Sequence, residues 1–138
     1  MLKDHLEKRV RLSLIWVFVT LNTFARDFHE LGREGMLEQM LSGVVNGVEI
    51  TETLMLVGGI MSEVPILMIL VSLLLGRSLN RIVTPIGALI TIVLLAGLNA
   101  NPDLDNIFFF AIQLIALVSI VWTCVRWKDS QERPHLFA

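Results

Sequence analysis

Four stretches of the chain carry apolar residues almost without interruption, at about 12–31, 50–75, 82–98 and 107–125. A bilayer core of roughly 30 Å takes about 20 such residues in helical form, because a helix satisfies its own backbone hydrogen bonds in hydrocarbon. Each stretch is near that length, so the pattern predicts four transmembrane helices. The links Gly76 to Arg81 and Asn99 to Asn106, the second holding Pro102, are short and join antiparallel neighbours. The expected fold is all-α, an integral membrane four-helix up-down-up-down bundle forming one domain over residues 1–138. Between the first two spans, Met36-Leu37-Glu38-Gln39-Met40-Leu41 is amphipathic and reads as a short helix lying along the outer interface.

Charge orients the spans, since Lys and Arg gather on the cytoplasmic side. Lys3, Lys8, Arg9 and Arg11 precede the first span, Arg77 and Arg81 fill the second link, and Arg126, Lys128 and Arg133 follow the last. The opposite side has Arg26 and Arg33 among Asp27, Glu30, Glu34, Glu38, Asp103 and Asp105. Both termini are therefore expected in the cytoplasm. Trp16, Trp122 and Trp127 fall toward the inner ends and Phe108 to Phe110 toward the outer start of the last span, as interfacial aromatics do. A competing reading makes residues 1–25 a signal peptide cleaved after Thr23-Phe24-Ala25. Against it, apolar character resumes at Phe28 and Leu31, and the cleavage site is a poor one.

Composition agrees: 54% of residues are hydrophobic and 17% charged, with a mean hydropathy of +0.70, whereas soluble domains carry about 25% charged residues. Four passes leave no length for a sizeable soluble domain, and no nucleic-acid partner is expected. Cys124, the single cysteine, can form neither an intrachain disulfide nor a CxxC pair and reads as a packing residue. His5 and His135 lie in the tails. No HExxH helix, P-loop, GxSxG elbow or dinucleotide fingerprint occurs, so the established soluble enzyme chemistries find no support.

Ionisable groups within spans are costly and mark candidate sites. Glu63 lies near the middle of the second span, beside Ser62 and two residues before Pro65, which should free the carbonyl of Met61 and kink the helix. It reads either as a carboxyl that carries a proton or binds a cation or polar ligand, or as a packing group hydrogen-bonded across the bundle. Asn22 of the first span and Gln113 of the last are at suitable depth to meet it. Glu49 and Glu52 lie at the outer end of the second span and share the Glu63 face to within about 60°; they form an acidic approach from outside, or simply charges favourable at a helix start. Asp27, with Arg26, His29 and Glu30 nearby, suggests an outer ion-pair network. Asp27, His29 and Glu49 or Glu52 offer metal-ligand types without diagnostic spacing, so no metal site is assigned. At the inner turn, Arg77 and Arg81 are candidates for anionic lipid head groups.

The stretches Leu14-Ile15-Trp16, Asn22 with Ala25-Arg26-Asp27, Gly47-Val48-Glu49-Ile50-Thr51, Glu63-Val64-Pro65, Asn80-Arg81 and Ile107-Phe108-Phe109 resemble a family of small bacterial four-span membrane proteins classified as a domain of unknown function. The resemblance covers roughly Arg11 to Trp127 and implies the same fold and a bacterial plasma membrane location, but no activity or cofactor. Three functions stay open. One is a small proton- or cation-coupled transporter or channel using Glu63, more easily built between protomers of a homo-oligomer. Another is an enzyme or accessory subunit binding a quinone or lipid near Glu63, Asn22 and Gln113. The third is a non-catalytic scaffold with a membrane-protein partner.

Overall fold

A computed structural model of the protein describes residues 2–98 and 103–127. The expectations resting on Asn99, Pro102, Lys128, Arg133 and His135 lie outside them. In chain order the elements are α1 (Leu2–Leu31), α2 (Met36–Ser42), β1 (Val44–Val45), β2 (Val48–Glu49), α3 (Glu52–Leu74), α4 (Arg77–Leu98) and α5 (Leu104–Val125). Among the described residues, three helices are long and apolar enough to cross a membrane: α3, α4 and α5. The first does not join them on composition, because its early turns are charged and Arg26 and Asp27 interrupt its apolar run.

Helix boundaries differ from the expected ones for identifiable reasons. The first helix starts about ten residues early, at Leu2, since Lys, Glu, Arg and Leu favour helix. This charged extension is used: Arg9 donates from Nε to the Leu73 carbonyl at 2.7 Å and from Nη2 to that of Leu74 at 3.2 Å, satisfying orphan carbonyls at the C-terminus of α3. The turn into α4 is shorter than Gly76 to Arg81, with helix resuming at Arg77. Asn80 explains it. Fully buried, it donates from Nδ2 to the carbonyls of Ser72 and Leu75, both at 2.8 Å, and accepts from the Thr84 hydroxyl at 2.8 Å.

The amphipathic segment after α1 does form a short helix, bounded by Gly35 and Gly43 at φ 76° and 77°, left-handed values that suit glycine. A small antiparallel hairpin pairing Val44 with Glu49 and Val45 with Val48 follows it. Its turn, Asn46-Gly47, takes φ 50° and 79°, the sign pattern of a tight hairpin turn that Asn-Gly favours. That dipeptide was the signal for an element the apolar pattern does not show. Thr51 then caps α3 by accepting from the Leu54 N–H at 3.2 Å, and the helix continues unbroken through Pro65.

The start of α1, the α3–α4 turn and the end of α5 meet at one end, called basal here: Arg77 donates to the Trp127 carbonyl, and Trp127 donates from Nε1 to His5 Nδ1 at 3.1 Å. At the opposite, distal end lie α2 and the hairpin. The first helix packs on α3 and α5, and α4 packs on the same two. The apolar core is concentrated in the basal half, with Leu12, Trp16 and Val19 of α1, Met68 of α3, Ala88 of α4, and Leu117, Ile120 and Cys124 of α5, and Leu95 extends it distally along α4. Gly87 lets α3 and α4 touch, since a Cβ there would lie 2.9 Å from Met68 Sδ. Trp16 and Trp127, expected as interfacial aromatics, are instead fully buried. Trp122 is exposed beneath the Arg126 guanidinium, 3.9 Å from its ring centroid.

Candidate functional site

The core-facing stripe of α1 changes character along its length. Leu12, Trp16 and Val19 are apolar, and the next turns place Thr20, Thr23, Arg26 and Glu30 on the same line, at the alternating spacing of three and four that keeps one helix face. The facing stripe of α5 mirrors it: beyond Trp127, which follows the helix, Cys124, Ile120 and Leu117 are succeeded distally by Gln113 and Asn106. Where these polar halves meet, Gln113 donates to Thr23 Oγ1 at 2.9 Å. Arg26 donates from Nε to Asn106 Oδ1 at 2.8 Å, and Asn106 donates from Nδ2 to Glu30 Oε1 at 2.6 Å. Glu30 in turn accepts from Arg33 at 3.3 Å, and Arg33 pairs with Asp103 and, at 3.6 Å, with Asp105. Desolvation works against the Arg33 charge, but the carboxylates of Glu30, Asp103 and Asp105 outweigh it and hold its pKa above the ordinary value. His29 Nε2 lies 3.5 Å from the second carboxylate oxygen of Asp105, closing the outer ion-pair network.

Arg26 is the unusual member. Its side chain is 9% exposed and sits 4.0 Å from Asp27, whose carboxylate is 62% exposed. Its Nη1 is buried without a hydrogen-bond acceptor. A guanidinium offers five N–H donors in a planar fork, so this buried cation holds donor capacity in excess of its protein partners. It lines a cavity of about 470 Å³ between α1, α3 and α4, whose wall also includes Thr23, Ser62, Thr91, Met55 and Leu95. Gly58 and Gly59 border the cavity as well, and a Cβ at either would meet nothing within 4 Å.

The residues singled out by sequence are not gathered in one place. Gln113 is fully buried in the α1–α5 seam, with its Oε1 unpartnered. Asn22 is half-buried with Oδ1 unpartnered. Glu63 joins neither: it is exposed on α3, and so is every residue from Thr51 to Glu63. By helical angle it points roughly 140° away from Gly58, which faces the cavity. The proposed cluster of Asn22, Glu63 and Gln113 is therefore not formed, because the distal half of α3 stands away from its neighbours. Glu49 and Glu52 are exposed at the hairpin and helix start, and Asp27 borders the cavity. At the basal end Arg77 is engaged with Trp127, while Arg81 is exposed. Among the described residues no group of three or more His, Cys, Asp or Glu could hold a metal ion.

Sequence reasoning passed over Arg26, Thr23 and Asn106 as core groups. The signal was available in the register: continuing the Leu12, Trp16, Val19 spacing lands on Thr23 and Arg26 rather than on Asn22 and Asp27.

Three apolar helices long enough to span a bilayer, packed with a fourth long helix whose inner face carries charge, define a helical membrane protein. More particularly, the chain belongs to a family of unknown function (DUF6326), matched over residues 1–133. No curated protein and no solved structure matches it.

Proposed function

We propose that α1 is a fourth span, that the four long helices form an up-down-up-down bundle in a bacterial plasma membrane with both ends cytoplasmic, and that the bundle binds a small amphiphile. The carrying observation is Arg26, a buried guanidinium with spare donors on the wall of a largely apolar cavity. Such a site suits an apolar body with an anionic or strongly accepting head group, as in a fatty acid, a phospholipid or a quinone. Charge-assisted hydrogen bonds from Arg to such a head group are about twice as strong as neutral ones, and more so where water is excluded. The distribution of the described cations, with Lys3, Lys8, Arg9, Arg11, Arg77, Arg81 and Arg126 toward the basal end, supports a cytoplasmic basal side.

The cation-pathway reading gains less from this geometry. A buried positive charge on the cavity wall opposes cation entry, and Glu63 lies off that wall. The test is purification of wild type and Arg26→Gln in mild detergent, followed by extraction and mass spectrometry of bound lipids and quinones. Wild type should retain one amphiphile class in defined stoichiometry, and the variant should lose roughly tenfold or more of it, as removal of a charged hydrogen bond implies. Equal retention by both proteins, or none by either, sinks the proposal.

A further inference from the structure

Arg26 carries a fixed positive charge, yet no carboxylate among the described residues lies within hydrogen-bond distance of it. Asp27 stands 4.0 Å away with its carboxylate 62% exposed, beyond hydrogen-bond reach. Glu30 is kept off by a neutral amide: Asn106 accepts from Arg26 on one side and donates to Glu30 on the other, and Glu30 is itself paired with Arg33. A buried cation without its counter-charge is unfavourable, so the cavity beside Arg26 lacks a negative charge. It also lacks other donors. The hydroxyls of Thr23, Ser62 and Thr91 line it, but each gives its one proton to its own helix, at the carbonyls of Val19, Gly58 and Gly87 at 3.0, 2.9 and 2.8 Å. Among the described side chains of the wall, the guanidinium alone has donors to offer. The remaining lining is apolar and elongated, following α3 from Leu54 to Pro65, about 16 Å of helix.

Resting on the amphiphile reading above, we propose that the ligand of this cavity is a long-chain carboxylate, the anion of a single-chain fatty acid, with its head group on Arg26 and its chain along α3. A carboxylate supplies the missing charge and concentrates both its acceptors on one guanidinium. A quinone supplies no charge, and of the two carbonyls at opposite ends of its ring only one meets a donor. A phospholipid has more than twice the atoms of a fatty acid, whereas the cavity, at about 470 Å³, lies toward the small end of the range of roughly 300–1,000 Å³ for small-molecule sites. Gly58 and Gly59 raise no side chain across the wall, and every residue of α3 from Thr51 to Glu63 is exposed, so an acyl chain has a sideways entry from lipid. Asp27, which also borders the cavity, is the one group there that opposes an anion.

The test compares radiolabelled palmitate with its methyl ester, which differs in charge but keeps the chain, on purified protein in mildly alkaline buffer at equal mole fraction in the detergent micelle. Wild type should hold palmitate about tenfold more tightly than the ester, and in Arg26→Gln the two should fall within about twofold of each other. Gly58→Leu, which places a side chain in the path of the acyl chain, should weaken both. Asp27→Asn, which removes the opposing charge, should bind palmitate at least as tightly as wild type. If acid and ester bind wild type equally and Arg26→Gln loosens both, the head group is a neutral acceptor: the carboxylate is overturned and the amphiphile reading stands. Displacement of palmitate by an equal mole fraction of phosphatidylglycerol or a short-tailed ubiquinone has the same meaning. Looser palmitate binding by Asp27→Asn, or unchanged binding by Gly58→Leu, also overturns the assignment, and no binding of either probe by wild type overturns both readings.

Discussion

Asn80 shows how much one polar side chain can fix. Its amide ties two carbonyls at the end of α3 to the first turn of α4, and its oxygen takes the Thr84 hydroxyl. Replacement by alanine leaves those buried carbonyls short of a donor, at about 1–3 kcal/mol for an unsatisfied group. Asn80→Ala should therefore lower the thermal midpoint in detergent clearly, whereas Asn22→Ala, whose Oδ1 has no partner to lose, should change it little. The same reasoning separates Gln113 from Glu63. Gln113→Leu abandons the Thr23 hydroxyl within the core and should destabilise the monomer, while Glu63→Leu should leave monomer unfolding in detergent unchanged.

At the scale of elements, glycines distinguish packed from open halves of α3. Gly87→Ala puts a methyl group within 2.9–3.1 Å of the Met68 side chain, and overpacking of this kind costs typically 1–3 kcal/mol. Gly58→Ala enters open space and replaces a poor helix former by a good one. The first should lower the unfolding midpoint and the second should hold or raise it, both read by thermal denaturation. On a Met68→Ala background, itself destabilised by the cavity it leaves, Gly87→Ala should cost less than it does in the wild type, because the obstructing sulfur is gone. The apolar runs made α3, α4 and α5 legible in the sequence to within a few residues. What they concealed was register: α1 turns Thr23 and Arg26 inward, and periodicity on a helix with charged residues at both ends is easily read one position off. The cluster of Asn22, Glu63 and Gln113 does not form for another reason, since nothing local in the sequence records that the distal half of α3 is exposed.

For the whole molecule, the decisive matter is whether α1 crosses the bilayer. Reporter fusions that are fluorescent only in the cytoplasm, placed at each terminus, should both be active if four helices cross; three crossings put the termini on opposite sides, and one fusion goes dark. A water-soluble thiol reagent should also distinguish the two ends, labelling single cysteines at Glu34 or Glu38 from outside the cell and those at Lys3 only after lysis.

The hydrogen bonds between α1 and α5 join residues 80 and 90 positions apart, Arg26 to Asn106 and Thr23 to Gln113. During synthesis the first helix emerges long before the side chains that satisfy it exist. If α1 crosses the bilayer, Arg26 has no amide to bind until the last helix arrives, and a lone arginine in a span resists entry into lipid. Chain birth runs from first to last, while on that reading the commitment of α1 to the membrane waits for α5. Ribosome-bound chains stopped before residue 103 should hold α1 in an interfacial or translocon-bound state, and chains released after residue 127 should not.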